Sequence, residues 1–176
     1  MKEMYISTLL CMPPFVIEPL AYFLTWTTYG SWLPGDRRGW AHHGLIRVPN
    51  QRLRRIAEAR SHGARIVLCV AARERVERTI GDHCRLRAWH LHAVHCRVEH
   101  VHVVVTAGGR SPHVVMGELK AWCSRALATV APEAGTPGRV RTWTRGGSCR
   151  RLYDVDAVER VVTYVRECQD APREGR

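Results

Sequence analysis

The chain has 176 residues, 45% of them hydrophobic, and carries a net charge of +11 from 27 Lys and Arg against 16 Asp and Glu. That length suffices for one domain with a core that needs neither disulfides nor a structural metal, and the apolar fraction excludes general disorder. No run reaches the roughly 18 apolar residues of a membrane span, so no membrane partner is expected.

The excess charge is almost all arginine, whose planar and permanently charged fork suits phosphate, so a polyanionic partner is expected; a merely solvated basic surface is the alternative. Seven cysteines, an odd number with no C-x-x-C pair, offer no disulfide framework. They predict reduced thiols, a cytoplasmic setting and mostly small core residues.

Met4–Ile17 is fairly apolar and follows Lys2, but Pro13 and Pro14 interrupt it and no clear small-residue cleavage site follows. It reads as a leading extension or an early start codon, with a surface-packed arm as the alternative. The expected organisation is an N-terminal extension over 1–20 and one domain over 21–176.

Tyr22–Thr28 is rich in aromatic and β-branched residues and predicts a strand. Tyr29–Gly44 is punctuated by Gly30, Pro34, Gly35, Asp36 and Gly39 and predicts a long loop. Gln51–His62 is a short helix or a mobile basic excursion. Ala71–Trp89 predicts a helix, with Val76, Ile80, Cys84 and the edge residue Arg87 at spacings of three and four.

His90–Val98 and His100–Ala107 predict a hairpin turning near Glu99. Pro112–Val130 predicts a helix with an apolar stripe of Val115, Leu119, Trp122, Cys123 and Leu127. Ala131–Arg139 is a loop, and Val140–Thr144 a short strand. Asp154 is placed to cap a last helix ending near Cys168. The order is strand, helix, hairpin, helix, strand, helix: an α+β, ferredoxin-like, split βαβ antiparallel sheet with a helix added at the end.

Chemistry concentrates first at His100-Val101-His102. On a strand, side chains at i and i+2 leave one face about 7 Å apart at the Cα atoms, so two imidazoles can converge on one cation. Val101, Val103 and Val105 then face the core, and Val104 follows the histidines. Among ten histidines such pairs also arise by chance, His90-Leu91-His92 is a second one, and histidines of purely structural role are common on sheets.

On the last helix, Val158, Val161, Val162 and Val165 form one stripe at about 100° per residue, and Tyr164 falls at its margin. A tyrosine there is an amphipathic packing residue or a nucleophile within reach of the adjoining sheet.

Taken together, several segments resemble the REP-associated tyrosine transposase relatives of the HUH superfamily. Phe23–Trp40 (FLTWTTYGSWLPGDRRGW) is similar to the family's opening, and Trp89–Thr106 to its strand pair, in which an alanine precedes the H-x-H by seven residues, as Ala93 precedes His100. That register selects His100 and His102 over His90 and His92. Leu119-Lys120 with Cys123–Leu127 resembles the following helix, Trp143–Gly147 the next strand and turn, and Tyr164-Val165 with Gln169 the nucleophile helix. The likeness runs from Tyr22 to near Asp170.

It implies an HUH motif on a central strand, a C-terminal helix carrying a catalytic Tyr164, a divalent metal, and strand transfer on single-stranded or hairpin DNA. Mixed imidazole and oxygen ligation fits Mg²⁺ or Mn²⁺ held by His100, His102 and, as third ligand, Gln169. Two departures stand out. Arg97, Val98 and Glu99 replace the Met, Pro and Asn or Asp frequent in the turn. One helical turn after the tyrosine, where relatives carry the third ligand, stands Cys168, while Gln169 lies about 140° round the helix from Tyr164.

For DNA binding, Arg37, Arg38, Lys120, Arg125, Arg145, Arg150 and Arg151 are candidates for phosphate contact, each with a solvated basic face as its alternative. Tyr29, Trp32 and Trp40 lie among glycines and basic residues where aromatic faces can stack on unpaired bases. Trp26 and Trp122 read as core. Rival functions are a non-catalytic nucleic-acid-binding module, a replication initiator or relaxase-like nickase, and a zinc-binding regulator. The family resemblance leaves monomer and homodimer both open.

Overall fold

The computed structural model describes residues 17–42, 45–60, 65–128 and 141–167. Most of the expected N-terminal extension, the Ala131–Arg139 loop and the end of the last helix, with Cys168 and Gln169, lie outside the described residues.

The chain is an α+β domain around a four-stranded antiparallel sheet. Its strands are β1 (Ala21–Thr27), β4 (His90–Cys96), β5 (His100–Thr106) and β6 (Ser148–Leu152), in the order β4-β5-β1-β6. Helix α2 (Val70–Leu86) connects β1 to β4, and α3 (Pro112–Ala128) connects β5 to β6. Strand β5 thus lies between β1 and β4, which is the split βαβ order. The last helix, α4 (Val155–Glu167), follows β6. Between β1 and α2 the chain adds a small hairpin, β2 (Trp40–His42) with β3 (Leu45–Arg47), and a helix, α1 (Gln51–Ala59).

Alternation along the strands divides the core. Tyr22, Leu24 and Trp26 of β1 and Val101, Val103 and Val105 of β5 face α2 and α3, meeting Val76, Ile80, Cys84, Val115, Leu119 and Cys123. Ala21, Val104, Ala93 and Leu152 face the other way and are covered by Ala157, Val158, Val161 and Val165 of α4. Because helices cover both faces, β5 is nearly continuous valine, as a doubly covered strand should be. The larger apolar set of β5 claims the α2/α3 face, so His100 and His102, one residue out of phase, emerge on the α4 face.

Helix starts follow the capping residues. Asn50 Oδ1 accepts from the Leu53 amide at 2.9 Å to open α1, and Asp154 Oδ1 accepts from the Ala157 amide at 2.6 Å to open α4. Gly35, with φ of 86°, packs against the Asn50 carbonyl and the Arg54 amide so closely that any Cβ would collide with them.

Two sequence expectations are corrected. Arg141–Thr144 forms no strand; only Trp143 makes an isolated bridge to Thr28, and the fourth strand is Ser148–Leu152. The Lys120 ammonium donates to the carbonyls of Thr144 and Gly146, both at 2.7 Å, which ties this stretch to α3. Trp122, expected in the core, is 41% exposed, because the buried stripe of α3 runs through Leu119, Cys123 and Leu127 and leaves the indole on its flank. Trp26 is buried as expected.

Candidate functional site

The sheet register builds the site. Antiparallel partners share a face, and the pairings Ser148–Thr25, Thr25–His102 and His102–His95 make one row across all four strands. His102 is its centre, nearly buried at 7% exposure. The Thr25 hydroxyl lies 2.9 Å from His102 Nδ1, which leaves Nε2 as the nitrogen able to take another partner. The His100 ring sits 4.8 Å from that of His102, centroid to centroid.

Above this row lies α4. The edge of Tyr164 faces His102 with 6.1 Å between ring centroids, and it meets Phe23 at 6.3 Å. Phe23 in turn stacks on His102 at 5.6 Å with an interplanar angle of 19°. The valines of α4 face the sheet, and this brings Tyr164, at the margin of their stripe and 40% exposed, over the histidines. Arg166 anchors the end of the helix by donating to the His92 carbonyl at 2.8 Å.

Burial pushes the His102 imidazole down to about 3, with His100, His95 and Arg97 adding to the effect. His100 is lowered too, again chiefly by burial. Both rings are therefore neutral at neutral pH, the form in which imidazole binds metals. A paired, neutral imidazole set at the edge of the covered sheet face, with one Nδ1 already oriented, has the chemistry to hold a divalent ion. Among the described residues no group of three His, Cys, Asp or Glu is placed to hold a metal ion.

The second pair, His90 and His92, also has close rings, at 4.4 Å. Ring proximity alone therefore does not separate the two pairs. Their strands differ: a register shift between Leu91 and Ala93 disturbs β4 at His92, and the threonine hydroxyl there, of Thr106, meets Nε2 instead of Nδ1.

The candidate DNA-binding residues do not form one surface. Arg150 pairs with Phe23 in register and so shares the face of His102, while Arg151 pairs with Tyr22 and takes the opposite one. Arg37 and Arg38 line a cleft of about 530 Å³ with Arg54 and Arg65. There Arg38 is held by Asp36 at 2.8 Å, Arg54 by Glu58 and Arg65 by Glu99, so most of this charge is already answered. Trp32 is exposed, donates to the Gly39 carbonyl at 2.6 Å and lies under Arg38. Tyr29 is half-buried, with its backbone tied to Thr142 and Ile66.

Lys120 is committed to its two carbonyls, and Arg145 is exposed in a shallow cleft beside it. Arg125 lies over Trp122 on α3, across the sheet from the histidines. Sequence reasoning missed Thr25, Phe23 and His95. Only His95 had a local signal: a hairpin closed by the Arg97 amide on the His100 carbonyl at 2.7 Å sets His95 opposite His102.

No protein-family model matches the chain, and no curated protein is significantly similar to it. Among solved structures, it is similar to that of a candidate transposase from Deinococcus radiodurans, with 12% identity, a TM-score of 0.49, and coverage of 88% of this chain and 94% of that one. Among the described residues no helix is long and apolar enough to cross a membrane, and Cys69, Cys84, Cys96, Cys123 and Cys149 are free thiols.

Proposed function

We propose that this protein is a metal-dependent HUH-type tyrosine transposase that cuts and rejoins single-stranded, hairpin-bearing DNA. The observation that carries the reading is the meeting of Tyr164 with His102 and its neighbour His100 on one face of a central strand. These residues are far apart in sequence, and the likeness of Trp89–Thr106 and of Tyr164-Val165 with Gln169 to the REP-associated transposase relatives singled them out independently of the geometry.

In this reading Tyr164 is the nucleophile. Its Oη attacks the phosphorus of a phosphodiester in line with the 3′-oxygen, the P–O3′ bond breaks, and the departing oxygen takes up a proton as the phenol loses its own to solvent. The product is a 5′-phosphotyrosyl diester and a free 3′-hydroxyl. Because the ester is conserved, another 3′-hydroxyl reverses the step without an energy source. His100 and His102, with Gln169 as proposed third ligand, would hold Mg²⁺ or Mn²⁺. That ion, when bound, supplies charge stabilisation to the phosphate oxygens. Thr25 fixes the His102 ring, Phe23 packs against both His102 and Tyr164, and Arg150 offers a cation on the same face.

The test is incubation of end-labelled hairpin DNA from the flanks of the gene with Mn²⁺ or EDTA, comparing wild type with Tyr164→Phe. Metal-dependent cutting and a covalent protein–DNA band, both lost in the variant, are the expected result. Binding without cutting, equal in the two proteins, would make the domain a DNA-binding module instead.

A further inference from the structure

The far side of the molecule carries arginines without carboxylate partners among the described residues. Between α2 and α3 runs a groove of about 400 Å³ lined by Arg75, Arg78, His83, Leu86, Trp122 and Arg125, on the outer surface of the helical layer and across the sheet from His102. Six other arginines (Arg38, Arg54, Arg65, Arg85, Arg87 and Arg110) are each paired with a carboxylate. Arg75, Arg78 and Arg125 have no carboxylate partner among the described residues. The one acid lining the groove, Asp82, is paired with Arg85. The groove therefore presents net positive charge.

It also presents an aromatic surface. Trp122 is 41% exposed on a helix that buries Leu119, Cys123 and Leu127. The indole is held in place: the Arg125 guanidinium lies 4.5 Å over its ring, and the His83 ring sits 5.3 Å away at 34°. His83 is itself only 3% exposed, pinned by Glu118 through Nε2 at 3.2 Å, while its Nδ1 is shut off from water with no hydrogen-bond partner among the described residues. Arg75 Nε, on the same wall, is in the same condition. Sequestered polar groups without partners are uncommon and call for an explanation.

A rigid tryptophan flanked by unpaired guanidinium groups fits one chemistry well. A planar base stacks on the Arg125 guanidinium, which itself lies on the indole, and the attached phosphates meet Arg75 and Arg78. Duplex DNA, whose bases are already stacked, offers the arginines its phosphates and the indole nothing. A purely apolar partner would leave three arginines stranded.

We infer that the α2/α3 groove is a second nucleic-acid site, which holds an unpaired nucleotide of a single-stranded segment remote from the phosphate attacked by Tyr164. The assignment goes beyond the proposed cleavage chemistry and does not need Tyr164, so the two can fail separately.

The experiment uses the full chain with a fluorescein-labelled oligothymidylate, and the same oligomer carrying 5-iodouracil for photocrosslinking. Trp122→Ala should weaken binding about tenfold. Arg75→Ala with Arg78→Ala should reduce the slope of log affinity against log salt by about one to two. The photo-adduct should map to the peptide containing Trp122, and that photo-adduct should persist in Tyr164→Phe. Arg78 is exposed, so Arg78→Glu supplies a variant whose folding is not in question, and thermal melting checks the others. Unchanged affinity in all three variants, with adducts only elsewhere, would overturn the inference. So would a Trp122→Ala protein whose sedimentation changes while its oligothymidylate affinity does not, since the groove would then be a contact between copies of the chain. Loss of cleavage in Tyr164→Phe has no bearing on either outcome.

Discussion

Thr25 Oγ1 and His102 Nδ1 face each other at 2.9 Å across the β1–β5 ladder, in directly paired positions of two central strands. A side-chain partner on Nδ1 fixes the orientation of an imidazole and settles which nitrogen is left for a ligand. Thr25→Val keeps the shape of the side chain and removes only that partner. It should lower Mn²⁺ affinity about 10- to 100-fold while costing about 1 kcal/mol of stability. Titration calorimetry with Mn²⁺ and urea unfolding read the two effects separately. Loss of stability with unchanged metal affinity would show that Thr25 serves packing alone.

Tyr164→Phe removes one hydroxyl from a side chain that is 40% exposed and keeps the ring that packs on Phe23 and His102. Its stability should stay within about 0.5 kcal/mol of wild type. Formation of a covalent DNA adduct should vanish. A variant that still forms the adduct would move the nucleophile elsewhere, and denaturing electrophoresis of the labelled product decides it.

The histidine pair was legible because strand periodicity is local: His100-Val101-His102 among alternating valines already placed both imidazoles off the core. Most of its setting was not: His95 is set opposite His102 by the adjacent hairpin, but Thr25 and Phe23 reach His102 only through the pairing of β1 with β5, which is distant in sequence. The fourth strand shows the same limit. Ser148–Leu152 has two arginines and little β-branching, and as an edge strand it pairs on one side only, so tertiary contact with β1 and not propensity makes it a strand. Val140–Thr144 has the better local signal, yet its described part, Arg141–Thr144, is tied down by the Lys120 clamp and makes only the bridge at Trp143. The proposed third ligand, Gln169, lies outside the described residues.

Two glycines of one region should respond oppositely to alanine. At Gly147 a Cβ would meet Met116 Sδ at 2.6 Å and the Thr25 carbonyl at 2.8 Å, so the backbone must shift away from β1. Gly147→Ala should cost about 1–3 kcal/mol. It should also disturb Thr25, and through it His102, so that Mn²⁺ affinity falls with stability. Gly117, inside α3 with nothing within 4 Å of the added carbon, should gain about 0.5–1 kcal/mol from the same change. Urea midpoints of the two variants check the pair, and a neutral Gly147→Ala would mean that Met116 yields more easily than its packing implies.

Lys120 gives the protein a pH signature in the alkaline range. Burial holds its ammonium down to about 8, below the 10.5 of a free lysine, even as it donates to Thr144 and Gly146. Between those values the unfolded chain binds the proton and the folded chain does not, so stability should rise with pH from about 8 upward. The buried thiols act in the opposite sense. Cys84 is raised to about 11 and Cys96 to about 12 by burial, from an ordinary value of 9.0, so their contribution declines as pH climbs above 9. The lysine effect should therefore be isolated between pH 7 and 9. Lys120→Met removes the titration, and subtracting its stability profile from that of wild type should leave a difference that moves in favour of wild type as pH rises through this window. A flat difference would mean that the two carbonyls compensate fully for the loss of water around the ammonium, and that Lys120 is a clamp without a titration of its own.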